Sequence, residues 1–127
     1  MKFQPDTLPG TNVITRVEPG RVWVGAAAFG QSIVVPWQGP VRHWGPARFE
    51  DLQPAHFAEI AGAGAAVVLF GSGERLRFPP PALLRALVET GVGVEAMDTA
   101  AACRTYNVLA AEGRCVVAAL LLAEGPV

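Results

Sequence analysis

Apolar positions follow two different periods along this chain, and elements begin and end where the period changes. Near the start, Val13-Ile14-Thr15-Arg16-Val17 and Arg21-Val22-Trp23-Val24-Gly25 flank the turn cluster Glu18-Pro19-Gly20, which predicts a hairpin. Ser32-Ile33-Val34-Val35, stopped by Pro36, predicts a third strand, and the three suggest a small antiparallel sheet. Ala65 to Phe70 reads as a continuous apolar strand ended by Gly71-Ser72-Gly73. Cys115 to Leu122 is an apolar run without a charge, short for a membrane span and suited to a strand covered on both faces in mid-sheet.

Between these runs the spacing turns helical. Pro54 and Gly62 bracket a short helix, with Leu52, Phe57 and Ile60 facing inward. Pro79-Pro80-Pro81 introduces a helix from Ala82 to Thr90 whose buried side carries Leu83, Leu84, Leu87 and Val88. Val92, Val94 and Met97 form a short strand, after which Asp98 or Thr99 offers a side-chain oxygen to the free N–H groups of a helix start. At about 100° per residue, Ala102, Cys103, Tyr106, Leu109 and Ala110 share one stripe. Gly113 stands where a left-handed residue ends the helix. Thr105 and Asn107 lie about 160° apart, on opposite flanks of that stripe, and so do not readily serve one catalytic site. Strand, helix, strand, helix, strand from Ala65 to Leu122 makes two crossovers, which favour parallel strands and right-handed connections. The expected fold is α/β: a single three-layer β/β/α domain over residues 1–127, with two sheets and one helical layer. Its N-terminal strands are antiparallel and its second half is a mostly parallel βαβαβ unit.

Composition narrows the function classes. The chain has 127 residues, 51% of them apolar, enough for one sizeable core. A net charge of −1 provides no global basic field for nucleic acid. Cys103 and Cys115 fall in apolar segments and read as small core fillers with free thiols. The opening MKFQPDTLPG carries a proline and an aspartate where a signal peptide needs its apolar run, so the chain reads as cytoplasmic. Lys2 to Asn12 reads as an extended lead-in with little core of its own.

Candidate chemistry is sparse. Gly71-Ser72-Gly73 leaves a strand on the side where open α/β sheets bind ligands, and glycine N–H groups with Arg75 suit an anion. The third glycine of a dinucleotide fingerprint and the Lys-Ser/Thr pair of a phosphate loop are both missing, so a tight turn is the simpler reading. His43, His56, Cys103 and Cys115 lack the short paired spacings of a zinc site. Neither histidine is aimed by the sequence at Ser72 or Cys103 as a base for a nucleophile. No catalytic residue, metal or cofactor is therefore assigned. Pro36 to Pro46 is a stiff loop whose Trp37, His43 and Trp44 either cover the core edge or form an interaction surface. Glu112 and Arg114 are placed to pair across the helix-to-strand bend, and Asn107 to bond a neighbouring backbone.

Val94-Glu95-Ala96-Met97-Asp98-Thr99, Ala102-Cys103-Arg104-Thr105-Tyr106-Asn107-Val108-Leu109 and Glu112-Gly113-Arg114 together resemble the signature of a family of bacterial and archaeal domains of unknown function. The eukaryotic relative of that family is mitochondrial complex I assembly factor 3. Gly71-Ser72-Gly73, Pro79 and Trp44 fit the same pattern, so the resemblance covers nearly the whole chain. It implies a β/β/α domain and, in the eukaryotic relative, a role in assembling a membrane complex; it implies no reaction. Two functions follow as expectations. The first is a non-catalytic interaction or assembly factor with a protein partner, such as a membrane complex or its subunits, with homo-oligomerisation left open. The alternative is a binder or enzyme for a small anionic molecule, using the Gly71 to Arg75 loop with the Thr99 helix start.

Overall fold

The computed structural model describes residues 10–122. The lead-in before Gly10, and with it the reading of the first residues, lies outside the described residues.

Strands β1 (Ile14–Glu18), β2 (Arg21–Val24) and β3 (Ala27–Phe29) form a three-stranded antiparallel sheet in that order. The expected hairpin is β1–β2, closed by Pro19 and by Gly20 at φ 75°. The third strand of this sheet differs from the expected one. Ala27–Phe29 completes the small sheet, whereas β4 (Ile33–Pro36) pairs antiparallel with the last strand in a second sheet. The reason is burial: Ile33, Val34 and Val35 are all buried, so both faces of β4 need cover that a two-layer hairpin does not provide.

That second sheet has five strands in the order β5-β4-β8-β6-β7, with β5 at Arg42–His43, β6 at Val67–Gly71, β7 at Gly93–Met97 and β8 at Val116–Leu120. β6 pairs in parallel with both β7 and β8, so the βαβαβ half is parallel as expected. The apolar run in β8 occupies mid-sheet with every residue buried.

Alternation along β6 and β8 divides the core. Val67, Leu69, Val116, Ala118 and Leu120 face one side together with Ile14, Val22 and the α3 residues Ala102, Cys103, Tyr106 and Ala110, where α3 is Thr99–Ala111. Val68, Phe70, Val117 and Ala119 face the other, against Phe57 and Ile60 of α1 (Pro54–Ala61) and Leu87 of α2 (Arg85–Glu89). Topology explains why the helices separate. The chain moves from β6 to its neighbour β7, then reverses past β6 to β8, and right-handed crossovers that travel in opposite directions must use opposite faces. The β/β/α layering is therefore present, with α3 on the small sheet's side of the central sheet instead of in the layer of α1 and α2.

The helix after the three prolines is shorter than expected. Pro81–Leu84 form a 3-10 turn before α2, and Val88 is 66% exposed, so of the four predicted inward residues Leu87 alone is fully buried. At the other end of the domain, α3 closes without the expected ion pair. Glu112 and Arg114 are both exposed and do not pair. The bend is held by backbone: Arg114 N–H donates to Leu109 O (3.1 Å) and Gly113 N–H to Ala110 O (3.0 Å), with Gly113 at φ 83°.

Both cysteines are free. Burial pushes the Cys103 thiol from 9.0 up to about 12 and also raises the Tyr106 phenol. Between the unfolded and folded values the unfolded chain binds fewer protons, so stability falls as pH rises. Urea midpoints are therefore expected to hold steady up to about pH 8.5 and then to drop progressively. A Cys103→Ala, Tyr106→Phe double variant should lose much of that alkaline drop, and an unaltered drop would contradict this assignment.

Candidate functional site

The loops after β6 and β7 leave for opposite faces, so their C-terminal ends form the crevice where open α/β sheets take ligands. Here the crevice is stitched shut by its own hydroxyls. Thr99 Oγ1 accepts from Gly73 N–H (2.9 Å) and donates to Leu121 O (2.9 Å), while Thr99 N–H donates to Gly73 O (2.9 Å). Ser72 Oγ lies 2.6 Å from Arg75 O and 3.1 Å from Met97 O, donates its single proton there, and accepts from Arg77 N–H (3.0 Å). Ser72 N–H donates to Met97 O (2.9 Å). Both side chains are buried, and their hydrogen-bonding capacity goes to the domain's backbone.

The structure thus brings Gly71, Ser72, Gly73 and Thr99 together, as the sequence suggests, but the N–H groups of Ser72 and Gly73 are not free for an anion. Gly71 has a packing role. A Cβ there would stand 3.0 Å from Thr99 Cα, Thr99 Oγ1 and a Leu120 methyl. Gly71→Ala is expected to destabilise by about 1–3 kcal/mol, since backbone cannot yield as a side chain can. Urea unfolding within error of wild type would mean the β6–α3 approach is looser than this.

A cleft of about 470 Å³ opens beside the stitched crevice, lined by the β1–β2 turn, Gly73, Glu74, the α3 start, Leu121 and Leu122. Its charged side chains are Glu18, Glu74 and Asp98, all acidic, which is the wrong sign for the expected anion. Arg75 lies instead in a separate groove of about 240 Å³ with Arg48, Phe49 and Arg77. Asp98 settles the helix start: its Oδ1 accepts from Ala101 N–H (2.8 Å), so Asp98 and not Thr99 is the cap.

Of the aromatic loop, Trp44 is fully buried and is not a surface residue. Its indole N–H donates to His56 O (3.1 Å), and its ring meets Phe57, Phe70 and His56 edge-on at centroid distances of 5.6, 6.2 and 6.3 Å. Trp37 is half-buried against the core, and His43 alone of the three is exposed, on β5. The motif residues on α3 are a clamp. Asn107 Oδ1 accepts from Ile14 N–H (2.9 Å) and its Nδ2 donates to Ile14 O (2.8 Å), docking β1 on the helix. Tyr106 Oη lies 2.9 Å from Asn12 O and 3.1 Å from Pro36 O, while Asn12 Nδ2 donates to Pro36 O (2.7 Å) and Gly39 O (2.8 Å). Thr105 is half-buried on the other flank.

Sequence reasoning missed the segment between Ser72 and Pro80. It has no regular structure, yet the Ser72 hydroxyl ties its Arg75 and Arg77 backbone groups. Arg77 pairs with Glu50 (3.0 Å) and lies over the Phe49 ring at 4.1 Å. Pro79 is buried, whereas Leu76 is 51% exposed and Phe78 72%. The signal available was the run Phe78-Pro79-Pro80-Pro81, since prolines without N–H groups deny the segment a strand partner.

Residues 14–121 match the profile of a family described as a protein of unknown function, DUF498/DUF598. The chain belongs to that family. Among relatives of this DUF498/DUF598 member is a bovine (Bos taurus) protein named NADH dehydrogenase [ubiquinone] 1 alpha subcomplex assembly factor 3. It is 32% identical over 108 residues, 84% of this chain and 58% of the bovine protein, so the chain spans less than two thirds of that relative. The crystal structure of a Bordetella parapertussis protein superposes with a TM-score of 0.85 at 42% identity, covering 89% of this chain and 97% of that one. The solution structure of a Bordetella pertussis protein, described as a Mth938-like domain, gives 0.81 at 36% identity over 100% and 96%. Fold and family thus agree with the resemblance carried by the α3 motif. Among the described residues, no helix is long and apolar enough to cross a membrane.

Proposed function

We propose that this chain is a non-catalytic docking module, an assembly factor that holds a protein partner through Leu76 and Phe78. One observation carries the reading: two apolar side chains stand exposed on a loop that the domain's own hydrogen bonds hold in place. A loop already ordered loses little entropy on binding, and a projecting phenylalanine is a good anchor for a partner's pocket. The assembly-factor name of the bovine relative supports a protein partner, with subunits of a membrane-bound NADH dehydrogenase as the first class to test.

The test uses cells from which the gene is deleted. Wild type is expected to restore assembly of the NADH dehydrogenase on native gels, and a Leu76→Ser, Phe78→Ser double variant to fail. The exposure of both residues keeps the stability change of the variant within about 1 kcal/mol. Full restoration by the variant, with wild-type stability, would remove the loop from the reading.

A further inference from the structure

The cleft beside the switch point has the size of a small-molecule site, and nothing in the docking reading uses it. At about 470 Å³ it falls in the range of ligand pockets, roughly 300–1,000 Å³. Val17, Ala100, Leu121 and Leu122 give it apolar walls. Volume and apolar lining suit a small ligand; charge decides what enters. Glu18, Glu74 and Asp98 line it, and no described lysine, arginine or histidine does.

Each carboxylate has a different degree of freedom. Glu18 is paired with the exposed Arg16, which does not line the cleft, and so contributes a partly screened charge. Asp98 gives one oxygen to Ala101 N–H, and in doing so occupies the positive end of α3 that would otherwise draw an anion. Glu74 is exposed and makes no ion pair with a described residue. Thr99, the hydroxyl in the cleft wall, has both partners inside the domain, so orientation of an occupant falls to charge and shape. We propose that this cleft binds a small organic cation: an ammonium group between Glu74 and Asp98, with its apolar body against Val17, Ala100 and Leu122.

The proposal is independent of the docking loop and is tested on the full chain labelled with ¹⁵N. 2-Phenylethylammonium, neutral 2-phenylethanol and anionic 3-phenylpropanoate are titrated separately. The ammonium is expected to give saturable amide shifts at Gly20, Gly73, Glu74 and Ala100, with half-saturation roughly tenfold below that of the alcohol and no saturation by the carboxylate. Glu74→Gln and Asp98→Asn, the second keeping a good helix cap, should together remove that tenfold preference while the alcohol binds as before. Ala100→Phe should abolish the ammonium and alcohol responses by filling the cleft. Equal response to the three probes, preference for the anion, no saturation by about 20 mM ammonium, or an ammonium preference that survives the charge variants would each overturn the proposal. The charge variants decide the matter should Ala100→Phe disturb the fold.

Discussion

Tyr106→Ala is expected to cost about 3–5 kcal/mol of stability, a large share of the roughly 5–15 kcal/mol that holds a domain of this size together. Tyr106 is fully buried on the inner stripe of α3, where β1, β6 and β8 meet the helix and the phenol reaches Pro36 O at the end of β4. Its loss opens a cavity in the core that α3 shares with the central sheet and also frees the Asn12 carbonyl. The hydroxyl is the smaller part. Tyr106→Phe is expected to cost about 1 kcal/mol, because Pro36 O keeps its bond from the Asn12 amide. Urea denaturation of the pair separates the two contributions. A Tyr106→Ala midpoint equivalent to within about 1 kcal/mol of wild type would mean that α3 does not pack on this face.

The second large effect is expected at Trp44→Ala, again about 3–5 kcal/mol. Three edge-on ring contacts and the bond to His56 O tie the β5 loop to α1 and β6, so removing the indole loosens three segments together. The same variant separates core from surface. Thermal unfolding should fall sharply, whereas partner binding measured at low temperature, where the variant is still folded, should be unchanged. Lost binding with wild-type unfolding would return Trp44 to the surface.

These two residues also mark what could be read from the sequence. The phase of α3 follows from a 3.6-residue repeat, which ties each apolar position to one face, so Tyr106, Cys103 and the Asn107 bond to a neighbouring backbone were all accessible in advance. Trp44 was ambiguous because a loop rich in proline and glycine has no period, and nothing local says which way a ring turns. β3 was missed for a related reason: Ala26-Ala27-Ala28 has neither alternation nor β-branched residues, and its strand state is set by pairing with β2. Val88 was placed inward because its spacing matches Leu84, but an α-helix of five residues leaves little of that face against the sheet. The approach of Gly73 to Thr99 followed from βαβ topology alone. The sign of the neighbouring cleft did not, since Glu18 reaches it from a different sheet.

The docking claim is tested most directly by placing a photo-crosslinking phenylalanine analogue at position 78 in the living cell, with the same analogue at exposed Val108 on α3 as control. Illumination followed by mass spectrometry is expected to join position 78, and not position 108, to a subunit or assembly protein of the NADH dehydrogenase. Equal capture from both positions, or capture at position 78 of the chain itself alone, would contradict the account.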